Sequence, residues 1–195
     1  MKSNICRIEK GDKSLDKIIR ESEKVAVYNE LGHKQTLQLR LLCEEVVNML
    51  PAIVSNFAGD FWIENQDDYY ELCVSVSVDK MDVATRERLI NVSKNNKNSS
   101  VVGITGKIRA VFDYMAMGGN DIMIAPAGRY GFSTAMDFSP IWSLRQYRES
   151  VQIDGEKKPE VWDEFEKSII VKVADDVVVG VRGNNVNIII KKRFA

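Results

Sequence analysis

Histidine is almost missing from this chain: His33 is the sole one in 195 residues. Nucleophilic triads built on an imidazole base are therefore poorly served, and no nucleophile elbow is present. Cysteine is scarce as well. Cys6, Cys43 and Cys73 make an odd number and form no CxxC pair. They read as reduced thiols of a cytoplasmic protein, and beside a single histidine they leave no zinc set. No apolar run is long enough to span a membrane. The opening Met1-Lys2-Ser3-Asn4 leads into a charged segment without the apolar centre of a signal peptide. An excess of either charge is also lacking. A net charge of −1 gives no electrostatic footprint for nucleic acid. The basic run Lys191-Lys192-Arg193 sits in an apolar strand pattern and is read as decorating its end. There is no internal repeat and no low-complexity segment. What remains is 45% hydrophobic and 28% charged, an ordinary globular composition, expected to form one domain over residues 1–195.

The pattern that organises the rest is Leu37 to Phe57, which reads as a long helix. Leu39, Leu42, Val46, Met49, Leu50, Ile53 and Phe57 fall on one broad face. Pro51 either kinks this helix or opens a second one as its first residue. Before it, Glu44 and Asn48 lie four apart and stack as neighbours on a different side. A carboxylate and an amide held on a rigid helix can orient a water and bind a metal ion. The plainer reading is a solvated helix surface.

Around that helix the chain reads in order. Ile5 to Glu9 is a short edge strand, turned by Gly11-Asp12-Lys13. Ser14 caps a helix carrying Leu15, Ile18, Ile19, Val25 and Ala26, and Gly32 is its stop. Gly59 ends the helical region. Phe61 to Glu64 and the alternating run Tyr70, Leu72, Val74, Val76, Val78 form a hairpin across a polar turn at Asn65 to Asp68. The alternation predicts a half-buried strand. Asp82 caps a short helix through Arg86, Leu89 and Ile90, and residues 94–100 are a polar loop. Lys107 to Met117 is a helix with Ile108, Val111, Phe112 and Met115 inward. Residues 119–140 are a loop with one strand at Asp121 to Ala125. Ile141 to Val151 is helical. Pro159 opens a last helix with Trp162, Phe165, Ile169 and Val173 as its stripe. Val177 to Val181 and Val186 to Ile190 close the chain as a hairpin about Gly183-Asn184-Asn185. Helices and strands come in blocks rather than βαβ units. The expected class is α+β: a two-layer sandwich, its mixed or antiparallel sheet carrying helices on one face.

On these residues the chain resembles the histidine-kinase-like ATPase domains, the group that includes gyrase and the anti-sigma-factor serine kinases. The likeness covers roughly Ser14 to Arg193 and is greatest to small bacterial ATP-binding proteins. Glu44-Glu45-Val46-Val47-Asn48 resembles the family's Glu-x-x-x-Asn helix motif. The resemblance implies Glu44 as catalytic base or water-orienter and Asn48 as ligand to the Mg²⁺ that bridges the ATP phosphates. Asp79 stands where the family's Asp hydrogen-bonds adenine, although Met81 and Val83 replace the glycines that follow it. Gly103-Ile104-Thr105-Gly106-Lys107, opening a helix, resembles the glycine-rich segment that turns backbone N–H groups and a helix N-terminus to the phosphates. By this likeness Gly103, Gly106 and Lys107 bind nucleotide. His33 is followed by Lys34 and has no separate dimerisation helices, so a phospho-acceptor histidine is not expected.

The resemblance implies ATP and Mg²⁺ as cofactors and a cytoplasmic regulatory protein. If active, it is a kinase or an ATPase acting on a partner. The alternative is a nucleotide-free regulator of the same fold that works by protein–protein contact through a sheet edge or residues 118–140. Met81 and Val83 favour that alternative, and the Glu44/Asn48 pair favours the first. The expected partner is a protein, with a homodimer among the options.

Overall fold

The computed structural model describes residues 1–9, 14–53, 57–77, 108, 139–153, 168–182 and 185–194. Their elements are β1 (Cys6–Glu9), α1 (Ser14–Tyr28), α2 (His33–Ile53), β2 (Ala58–Gln66), β3 (Tyr69–Ser77), β4 (Ser139–Ser143), α3 (Leu144–Ile153), α4 (Ile169–Val173), β5 (Asp176–Arg182) and β6 (Asn185–Arg193). The strands form one six-stranded sheet in the order β1-β2-β3-β6-β5-β4, with every neighbouring pair antiparallel. The architecture is α+β, with a sandwich of helices on a sheet. The short strand β1 is an edge, as its sequence suggested.

The last strand lies in the middle of the sheet. β6 pairs with β3 on one side and β5 on the other, so Leu72 faces Ile190 and Ile190 faces Val177. Period-two alternation then puts Phe61, Ile63, Leu72, Val74, Ile188 and Ile190 on one face. They share a core with Ile18 and Val25 of α1, Leu39, Leu42, Val46 and Leu50 of α2, and Ile170 of α4. The helix stripe and the strand alternation are thus two periodicities of one buried surface. Ile108 is helical and fully buried in the same core.

The two-helix connection differs from expectation at Gly32. α1 ends with Glu30 in the left-handed region at φ 53°. There the Glu30 and Leu31 amides donate to Val27 and Ala26 carbonyls at 3.1 and 2.9 Å, which is a Schellman cap with Glu30 where glycine is usual. Gly32 is instead the N-cap of α2. Its carbonyl accepts from the Thr36 amide at 2.9 Å, and its own amide donates to Gln35 Oε1 at 2.9 Å. A glutamine three residues into a helix reaching back to the cap is half of a capping box. α2 consequently starts four residues before Leu37. It runs through Pro51 as one helix of 21 residues, and Phe57 lies beyond it, in the core beside β2.

Gly59 does not end a helix. It lies inside β2 between Ile8 and Val76. A Cβ there would stand 2.2 Å from the Ser75 carbonyl oxygen. The β2–β3 turn is also tighter than expected: Gln66 pairs with Tyr69, so Asp67 and Asp68 alone connect the strands, with Asp67 at φ 54°.

Strand β3 is not half-buried. Tyr70 to Val74 are buried on both faces. On the face away from α1 and α2, Trp62, Cys73 and Ile189 form a second small cluster. Glu71 and Lys191 are buried beside it, 3.6 Å apart as an ion pair. Lys191 is therefore no surface decoration. Antiparallel register sets it directly across from Glu71.

Near the C-terminus two expected helices change. Ile141 and Trp142 belong to strand β4, and α3 starts only at Leu144. Ser143 Oγ accepts from the Gln146 amide at 3.4 Å, and buried Asp176 takes the Arg145 amide at 3.0 Å and the Ser143 hydroxyl at 3.1 Å. Ser143-x-x-Gln146 is a capping-box sequence, the signal that places this boundary. α4 is a five-residue helix whose cap, Ser168, is extended at φ −67° and ψ 127°. Ile170 and Val171 rather than Ile169 and Val173 are its buried residues, while Pro159, Trp162 and Phe165 of the expected helix lie outside the described residues. The turn at Gly11-Asp12-Lys13, the expected helices at 82–90 and at residues 109–117, the loops at 94–100 and 119–138 with the strand at 121–125, and the turn at Gly183-Asn184 lie outside the described residues.

Candidate functional site on helix α2

Helix α2 sorts its residues by side. Leu39, Leu42, Cys43, Val46, Met49 and Leu50 are buried. Leu37, Leu41, Glu44 and Asn48 follow one another at four, three and four residues, a stripe down the outer flank. Leu37 and Asn48 are exposed, while Leu41 and Glu44 are half-buried. The core side fixes the rotation of the helix, and that rotation carries Glu44 and Asn48 outward together. Of the residues singled out from sequence, these two share one helix. Asp79, Gly103, Gly106 and Lys107 lie outside the described residues.

The surroundings of Glu44 contain a residue that sequence reading passed over. Arg40, one turn earlier, donates from Nε to Glu44 Oε1 at 2.9 Å. Its Nη1 also lies 3.7 Å from Glu23 Oε1 on α1. Hydrogen bonding to Glu44 and the charges of Glu44 and Glu23 hold the Arg40 guanidinium above its ordinary pKa. The pair is open to solvent, with side chains 45% and 31% exposed, so it adds little to stability. An Arg-x-x-x-Glu spacing is visible in the sequence. It carried no weight there because only the packing of α1 on α2 brings Glu23 to the same guanidinium.

Asn48 is exposed and makes no hydrogen bond among the described residues, and an amide oxygen is a hard donor of the kind Mg²⁺ takes. Cys43, next to Glu44 in the chain, is buried as a free thiol. Burial pushes its pKa far up, countered in part by a hydrogen bond with Ser22, so it offers no thiolate to the site. Cys6 and Cys73 are likewise buried free thiols raised by desolvation.

Among the described residues no group of three or more His, Cys, Asp or Glu could hold a metal ion. Among them too, no helix is long and apolar enough to cross a membrane. No family model, curated protein or solved structure matches this chain.

Proposed function

We propose that the chain is a cytoplasmic ATP-binding regulatory protein of the histidine-kinase-like type, with Mg·ATP on the outer flank of α2. In this reading Asn48 supplies the one protein oxygen to Mg²⁺. Glu44 orients the attacking group, either a water in an ATPase or a hydroxyl of a protein partner in a kinase. Mg²⁺ held there by Asn48 would supply electrostatic stabilisation of the charge that develops on the phosphates.

The observation that carries the reading is the side of α2 on which the pair sits. Six residues between Leu39 and Leu50 are buried in the core, while Asn48 is exposed and without a bond among the described residues. A core-facing or fully paired Asn48 would have no ligand capacity. The element order also supports it: two helices, then a hairpin whose second strand pairs with the last strand of the chain.

A second reading is a nucleotide-free regulator that acts by protein–protein contact. It is favoured by the Arg40–Glu44 pair, because a carboxylate already neutralised by a guanidinium can be simply a helix ornament.

Thermal unfolding with and without Mg·ATP, on wild type and Asn48→Ala, tests the choice. A ligand that binds only the native state at a hundredfold excess over its dissociation constant adds about 2.7 kcal/mol. For a chain of this size that raises the midpoint by about 5–10 °C. The expected result is such a shift in wild type and its loss in Asn48→Ala. No shift at millimolar nucleotide refutes the reading and leaves the contact regulator.

A further inference from the structure

We draw no further inference here: the strongest candidate, the buried side-chain cluster on the sheet face away from α1 and α2, where Glu71 and Asn187 flank the apolar group Trp62, Cys73 and Ile189, carries nothing because nothing in the structure shows what covers that face.

Discussion

Replacing Gly59 by alanine should break the sheet at a predictable cost. The added Cβ would meet the Ser75 carbonyl oxygen at 2.2 Å and Val76 Cα at 3.0 Å. The first is about 1.2 Å short of the 3.4 Å at which ordinary contact begins. Both obstacles are backbone, so no side chain can rotate away. Nor can the strand give easily. Ser75 and Val76 are held by β2 on one side and by Asn187 and Val186 of β6 on the other. Overpacking of this kind costs about 1–3 kcal/mol, and a backbone obstacle belongs at the upper end. Against it, alanine reduces the entropy of the unfolded chain, worth about 0.4–1 kcal/mol. The expected net loss is about 2 kcal/mol. Gly32→Ala is the control, since its Cβ would meet only Gln35 Oε1 at 3.5 Å. As a helix cap it should lose about 0.5 kcal/mol. Urea unfolding of the two variants side by side gives the difference, a shift of roughly 1 M in midpoint for Gly59→Ala at typical denaturant slopes. Equal losses for the two variants would refute the close-approach argument.

Two further expectations concern the far face of the sheet. Lys191→Met should destabilise by about 3–5 kcal/mol in urea unfolding, because Glu71 is left as an uncompensated buried charge beside a lysine position only 9% exposed. Adding Glu71→Leu should recover most of that loss, and a single variant costing under about 1 kcal/mol would show that the pair is not desolvated. Tyr69 is pushed up to about 12, first by burial, then by the charges of Glu71 and Asp176. Its folded value lies above the unfolded one, so its contribution is complete below about pH 10 and is lost as pH rises toward 12. Stability measured across that window should fall more steeply in wild type than in Tyr69→Phe, with Tyr70, also raised by burial, common to both; equal slopes would contradict the assignment.

Much of the fold is local periodicity, and that much was legible. The helical stripe of α2, the alternation of β3 and the closing hairpin are each written within a few turns or one strand. The outward side of Glu44 and Asn48 followed from the same stripe, because the apolar residues choose which side faces the core. The boundaries were less legible. Gly32 and Gly59 were both read as helix stops from residue type, yet one caps the next helix and the other admits a neighbouring strand. The β4 to α3 boundary was available in Ser143-x-x-Gln146, whereas the helix expected from Ile141 ran through it.

By itself, then, the sequence determined the amphipathic faces, an α+β class and a Glu/Asn pair on one outward helix flank. Only the tertiary structure decided that β6 lies between β3 and β5, that Lys191 is buried against Glu71, that Gly59 must lack a side chain, and that Arg40 joins Glu44 to Glu23. The reason is the range of the interactions. Helix and strand periodicities report burial one residue at a time along the chain. Strand register and the packing of α1 on α2 bring together residues far apart in sequence, such as Glu71 and Lys191, whose chemistry depends on the partner they meet.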